Sequence, residues 1–263
     1  MIRRSFLFMS LAAAPLFAQA ADDPPFPPHR VIGNIYYVGS TNLASFLITT
    51  PRGHILINSS YERTVPLIEA SVEKLGFHFR DINILLDSHA HGDHVAGNPL
   101  VKKMTGATVM VMQEDVSGVP GTIDKILHNG DQVKLGGVVL TARLTPGHTK
   151  GATTWTLKAT EGGKSYDVVI SSSIGVNPGY VLVNNTKYPQ IADDYRRAFE
   201  VMRSLPCDVF LAPHGAQYGL AEKYPKLEKG GPNPFIDPQG FKAYVDNSEK
   251  LFLSKLEEQK RGR

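Results

Sequence analysis

The densest concentration of possible chemistry in the chain is the stretch His89-Ala90-His91-Gly92-Asp93-His94, where four residues able to ligate a metal fall within six positions. A nitrogen-rich set of this kind suits zinc first, with manganese or iron as alternatives. Alternate residues of an extended segment face the same way, so His89 and His91 can address one metal. Gly92 lets the chain turn, and Asp93 and His94 can then face a second point nearby. Solvation gives no reason for so tight a cluster. An isolated histidine, in contrast, is more often a surface or core residue than a ligand, and His29, His54, His78 and His128 are read that way.

Two further histidines stand in comparable settings. His148 closes Thr145-Pro146-Gly147-His148 and His214 closes Ala212-Pro213-His214, each just past a β-prone run. Alone, either would be read as ordinary. Together they complete two sets of three: His89, His91 and His148, then Asp93, His94 and His214. Three protein ligands leave a position open for water, the catalytic rather than the structural pattern of zinc. Two such ions, roughly 3.5–4 Å apart, can share a hydroxide and act on both ends of a breaking bond. Zinc-bound water can ionise near a pKa of about 7, so no separate base is required.

The elements that must position these residues are also legible. Asn34 to Val38, Ala44 to Thr49 and His54 to Asn58 are β-prone, the last two joined by the turn Thr50-Pro51-Arg52-Gly53. Val65 to Leu75 has helical spacing and stops at Gly76. Ile82 to Leu86 is a continuous apolar run, expected as a buried strand that delivers the histidine cluster at its end. A helix is expected over Val95 to Met104, closed by Gly106, and a strand over Thr108 to Met112. In the second half, Val138 to Leu144, Thr153 to Leu157, Val168 to Ile170 and Asp208 to Leu211 read as strands. Tyr188 to Leu205 and Phe241 to Glu258 read as helices. Strands in hairpins with helices between them predict two mixed sheets packed together with helices outside. Ligands placed at strand ends then converge on one edge, where loops leave room for a substrate.

Composition narrows the partners. The chain has 263 residues, 42% hydrophobic and 20% charged, with a formal net charge of +3. That balance lacks the basic footprint of a nucleic-acid binder. A single cysteine, Cys207, excludes both an intramolecular disulfide and a cysteine-only zinc site. Residues 1–20 are expected to be a leader: Arg3 and Arg4, an apolar run from Ser5 to Phe17, then Ala18-Gln19-Ala20. Arg3-Arg4-Ser5-Phe6-Leu7 is also similar to a twin-arginine signal, which would suit export of a folded, metal-loaded protein to the periplasm. No later run is long enough to span a membrane. A proline-rich linker is expected over 21–30 and one domain over 31–263, in a monomer.

His89-Ala90-His91-Gly92-Asp93-His94, with His148 in Thr-Pro-Gly-His-Thr and His214 in Ala-Pro-His, resembles the signature of the metallo-β-lactamase superfamily. The resemblance runs from about Ile32 to the C-terminal helix. It implies an α/β fold, the αββα sandwich of two mixed β-sheets with helices on the outer faces, and a pair of zinc ions at one edge. Because the superfamily performs many reactions, the fold does not give the substrate. Three features are similar to the all-histidine subclass of the β-lactamases. The ligand set lacks cysteine. Val168-Val169-Ile170-Ser171-Ser172-Ser173 carries no carboxylate where glyoxalase-type and many other superfamily hydrolases place a metal-bridging aspartate. Gly175-Val176-Asn177-Pro178-Gly179-Tyr180, Tyr188-Pro189 and Asp193-Asp194-Tyr195 resemble the subclass closely.

The resemblance implies a zinc-dependent β-lactam hydrolase, conferring antibiotic resistance, in which a metal-bridging hydroxide attacks the ring amide. Asp93 would orient that nucleophile while ligating the second metal. Tyr180 is a candidate donor to the oxyanion and Asn177 a candidate substrate contact, against a plain Asn-Pro-Gly turn followed by a packed tyrosine. Ser172 and Ser173 would hydrogen-bond near the metals, or simply end the strand. Two departures stand out: Ile174 and Val176 occupy a stretch where relatives carry serines, and Phe241 stands where relatives place the disulfide partner of a cysteine like Cys207. The alternatives are another hydrolase on this fold, cleaving a thiolester, lactone or phosphodiester, and a non-catalytic periplasmic zinc-binding protein.

Overall fold

The computed structural model describes residues 23–262. The expected leader, 1–20, lies outside them. Strands β1 (His29–Ile32), β2 (Ile35–Tyr37), β3 (Phe46–Thr50), β4 (Gly53–Ile57), β5 (Ile82–Leu86), β6 (Thr108–Met112) and β7 (Lys125–Leu127) form one sheet in sequence order. Pairing is antiparallel as far as β4 and parallel from there on. Strands β8 (Gln132–Leu135), β9 (Val138–Leu144), β10 (Thr153–Glu161), β11 (Lys164–Ile170) and β12 (Val209–Leu211) form the second sheet, in the order β12-β11-β10-β9-β8. Helices α1 (Val65–Lys74), α2 (Gly92–Val95) and α3 (Asn98–Thr105) follow strands of the first sheet. Helices α4 (Ile191–Ser204), α5 (Leu220–Glu228) and α6 (Pro238–Arg261) belong to the second half.

Period-two alternation explains how the layers stack. Phe46, Ile48, Ile55, Ile57, Ile84 and Leu86 face the second sheet and pack with Leu140, Ala142, Trp155 and Val168. Their neighbours Leu47, Leu56 and Leu85 point the other way, onto Val65, Ile68 and Val72 of α1 and Val101 of α3. Both faces of these strands are thus buried, which is why their sequences read as continuous apolar runs. Tyr195, Phe199 and Met202 of α4 and Phe252 of α6 cover the far side of the second sheet. The result is the expected αββα sandwich. No helix among the described residues is long and apolar enough to cross a membrane.

Several elements differ from their sequence reading. The helix expected over Val95 to Met104 is two, because Pro99 in the first turn of α3 cannot donate a backbone hydrogen bond. At the break, a Cβ on Gly97 would stand 2.7 Å from the Ser59 carbonyl oxygen, so only glycine allows this approach. The β10–β11 hairpin runs beyond Leu157 to Glu161 and starts at Lys164, turning on Gly162 and Gly163 at φ 57 and 78. Helix α6 begins at Pro238 rather than Phe241, capped by Asp237, whose carboxylate accepts from Gly240 N at 2.8 Å. Helix α4 begins at Ile191 rather than Tyr188. Residues 23–30 do not hang free as part of a linker: β1 starts at His29, and Pro25 bridges to Ser40.

Cys207 and Phe241 line one shallow cavity of about 360 Å³ behind the second sheet. Phe241 packs on Phe210 with ring centroids 5.4 Å apart. Burial, reinforced by the Asp208 charge, pushes the Cys207 thiol up to about 12. His29 and His54 are buried away from the ligand cluster, while His78 and His128 pair with Glu73 and Asp131, as ordinary histidines do.

Candidate metal centre

His89 and His91 occupy the loop leaving β5, Asp93 and His94 the single turn of α2, His148 the loop after β9, and His214 the loop after β12. All six therefore gather at one edge of the sandwich, although up to 125 positions separate them in the sequence. Within the set His89, His91 and His148, and within the set Asp93, His94 and His214, the candidate ligand atoms lie within 4.8 Å of one another.

In the first set the three imidazoles stand nearly perpendicular, with centroids 4.6–4.8 Å apart. The outward nitrogen of each is taken. His148 Nδ1 donates to Gly175 O at 2.7 Å, and His89 Nδ1 pairs with Ser88 Oγ at 3.1 Å. His91 Nε2 lies 3.1 Å from the Tyr180 hydroxyl, which itself donates to His148 O at 2.7 Å. These partners set the tautomers, leaving Nε2 of His89 and His148 and Nδ1 of His91 as lone pairs directed inward. His89 Nε2 is buried with no protein partner. In the second set His94 Nε2 faces His214 Nε2 at 3.3 Å, and Asp93 Oδ2 lies 3.3 and 3.8 Å from them. Nitrogens held tetrahedrally at about 2.0–2.1 Å from zinc would stand roughly 3.3 Å apart. The donor set fits a divalent metal at both points.

Electrostatics keeps the ligands in their binding form. Burial, with added repulsion from the neighbouring imidazoles, holds His89 well below the usual histidine range. Burial brings His148 down to about 3, against the pull of its Gly175 bond, and His214 down to about 4. Burial would raise Asp93, but its hydrogen bond to His94 and the nearness of the His94 and His214 rings outweigh that and hold it at about 2. At neutral pH His89, His91, His148 and His214 offer lone pairs and Asp93 offers a carboxylate, as metal binding requires.

The loops themselves are braced. Ser59 N and Ser60 N both donate to the His94 carbonyl, at 3.0 and 3.1 Å. Asn58 Oδ1 accepts from Ser88 N at 2.8 Å, next to His89. Asn58 and Ser60 hold left-handed backbone at φ 66 and 59, a strained choice that this clasp maintains. Asp115 is the brace that sequence reasoning misses. Its buried carboxylate accepts from Ala90 N at 2.9 Å, Thr149 Oγ1 at 2.6 Å and Gly151 N at 2.7 Å. It thereby ties the loop of His89 and His91 to the loop of His148. Nothing in the stretch Gln113–Gly118 announces this, because the partners lie 25–36 positions away. Asp115→Ala would leave two backbone N–H groups without their acceptor, at about 1–3 kcal/mol each. A loss of roughly 2–5 kcal/mol in urea unfolding, with weaker metal uptake at the first set, is the expected outcome; parental stability would contradict it.

A cavity of about 510 Å³ opens onto the centre, with Asp93, Ser173, Asn177, Tyr61 and Gln217 on its walls. Asn177 and Ser173, the candidate substrate contacts, are both on this wall. Ser172 does not: it is fully buried, and its N–H donates to Thr154 Oγ1 at 3.2 Å. Its place directly after β11 turns it into the core. Tyr180 lies behind the ligands, its hydroxyl engaged with His91 and His148, so the structure gives it a positioning role instead of a free oxyanion donor. Tyr61 and Gln217 had no motif to reveal them.

A family profile described as the metallo-β-lactamase superfamily matches residues 40–214. Among solved structures, the native FEZ-1 metallo-β-lactamase from Legionella gormanii is similar at 51% identity and a TM-score of 0.90, covering 91% of this chain and 98% of that one. BJP-1, a subclass B3 metallo-β-lactamase of Bradyrhizobium japonicum, is similar at 33% identity and a TM-score of 0.86, covering 91% and 97%. Among curated relatives, a hydroxyacylglutathione hydrolase of Rhizobium meliloti is 36% identical over 86 residues, 33% of this chain. This chain spans only 32% of that relative's length in the match. The ligand geometry, the sandwich and the profile agree: its solved neighbours include class B3 metallo-β-lactamases, and the chain belongs to the metallo-β-lactamase superfamily of metal-binding hydrolases.

Proposed function

We propose that the protein is a zinc-dependent β-lactam hydrolase that holds two zinc ions and acts after export to the periplasm. The observation that carries this reading is the nearly full-length likeness, at 51% identity, to a β-lactamase. The site supports it: among the described residues, Asp93 is the one carboxylate in the two ligand sets, and β11 ends at Ile170 and is followed by Ser171, Ser172 and Ser173.

When bound, zinc supplies Lewis acidity and lowers the pKa of water to about 7. The chain's own residues supply direction. Asp93, ionised at neutral pH, accepts a hydrogen bond from the attacking water and fixes its line of approach. Gly175 O and Tyr180 hold His148 and His91 in the tautomers that leave their inward nitrogens free. Asn177 and Ser173 offer hydrogen-bond donors on the cavity wall to the carboxylate and carbonyl groups of a β-lactam.

The second reading is a thiolester hydrolase, favoured by the 36% identical stretch shared with hydroxyacylglutathione hydrolase. One comparison of kcat/KM separates the two. Nitrocefin and imipenem are expected to be hydrolysed, with turnover lost on chelation and restored by zinc. An S-acylglutathione should turn over at least on the order of 100-fold more slowly, a gap of about 2.7 kcal/mol. The reverse order would establish the thiolester reading.

A further inference from the structure

His214 is the ligand whose support comes from farthest away in the sequence. Its backbone is clasped by the loop at 40–44: Leu43 bridges to His214, Ala44 N donates to Pro213 O at 2.9 Å, and Gly215 N donates to Asn42 O at 3.0 Å. The ring presents Nε2 to His94. The groups around a metal ligand that fix its orientation tune how tightly the metal is held, and here the backbone on both sides of His214 is what the loop fixes.

Asn42 is exposed, at the tip of a loop whose flanking Ser40 and Leu43 are buried. What holds it is Asp23. One carboxylate oxygen accepts from Asn42 N at 2.8 Å and Asn42 Nδ2 at 2.9 Å. The other accepts from Leu43 N at 3.1 Å and from the Ser40 hydroxyl. Pro24 O extends the grip, accepting from Thr41 N at 2.9 Å and Thr41 Oγ1 at 3.1 Å. The loop is wrapped around a single carboxylate contributed by the segment ahead of β1.

We propose that Asp23 is a positioning residue for the second metal set: by closing the loop at 40–43 it keeps the clasp on the backbone of Pro213, His214 and Gly215 in place, and so governs how tightly the second ion is held. The inference rests on the reading that Asp93, His94 and His214 bind a metal. Among the described residues Asp23 makes no direct hydrogen bond to the first set, whose nearest link to this loop runs through Asn58, donating to Ala44 O and accepting from Ser88 N. The outer partners of the first set are Ser88, Gly175 and Tyr180, and its loops are tied by Asp115. Loss of Asp23 should therefore separate the two affinities, which a mere anchor for the N-terminal segment would not do.

The test is stepwise cobalt(II) and zinc titration of chelator-stripped protein, followed by visible absorption of cobalt and by calorimetry, on the parent, Asp23→Ala and Asp23→Asn. Circular dichroism and thermal melting of the metal-free variants check that they fold. Asp23→Ala is expected to weaken the second binding event by roughly 10-fold or more, within the range typical of outer-partner loss, and to leave the first within about twofold. Asp23→Asn, which keeps one acceptor oxygen, should fall between. A variant that binds both ions as the parent does would overturn the inference alone, as would an equal weakening of both events. A parent chain that takes up a single ion would overturn the two-metal reading itself.

Discussion

His148→Ala should bind one zinc fewer than the parent and hydrolyse nitrocefin roughly 10³-fold more slowly. The substitution isolates the ligand from its scaffold. The His148 carbonyl that receives the Tyr180 hydroxyl belongs to the backbone and survives, so Tyr180 can still hold His91. Only the ring and its bond to Gly175 O are lost. The remaining two histidines of that set give a poor site, and Lewis-acid assistance worth several kcal/mol goes with the ion. At about 1.36 kcal/mol per tenfold change in rate, three orders of magnitude is the natural scale. Metal analysis of the purified variant, together with kcat/KM, checks it. Full zinc content with unchanged hydrolysis would remove His148 from the site.

Stripping the metal should both abolish turnover and lower the melting temperature, by roughly 5–15 °C. The structure explains the second effect. His89 Nε2 is buried without a partner, and His94 Nε2 and His214 Nε2 face each other at 3.3 Å. Without a cation the facing nitrogens repel one another, and His89 and His214 can take up protons only against the burial that lowers them. An ion that binds the folded chain alone, at 100 to 1,000 times its Kd, contributes about 2.7–4.1 kcal/mol. Each kcal/mol moves the melting point of a domain this size by roughly 2–4 °C. Thermal melts with chelator, followed by zinc back-titration, provide the measurement. An identical melting temperature with and without chelator would mean that the cluster holds no ion under those conditions.

The ligand set was legible in the sequence because its chemistry is local. His89, His91, Asp93 and His94 announce themselves by crowding, and His148 and His214 by lying past apolar strands. Apolar runs such as Ile82–Leu86 disclosed the layers for the same reason: burial on both faces leaves a continuous signal. What stayed hidden depends on distant partners or on weak periodicity. Asp115 looks like any acidic residue until the fold brings Ala90, Thr149 and Gly151 to it. Strands β7 and β8 are short and half exposed, so no stretch of either reads as apolar. Helix α5 carries Pro225 inside it and buries only Leu220, which erases the usual helical pattern. The role of Tyr180 shifted because hydroxyl direction is set by the His148 carbonyl, a contact no spacing rule anticipates.

Phe241 beside Cys207 carries a consequence for how the molecule comes into being. Where relatives are expected to close a covalent link, this chain places Phe241 in tilted aromatic contact with Phe210. With a single thiol, pushed up to about 12 by burial, it has neither a partner to oxidise nor a thiolate to offer at neutral pH. Its maturation needs no electron acceptor and no shuffling catalyst. The same native form is open to it in a reducing or an oxidising compartment, and a thiol reductant added during purification should leave its melting curve where it was.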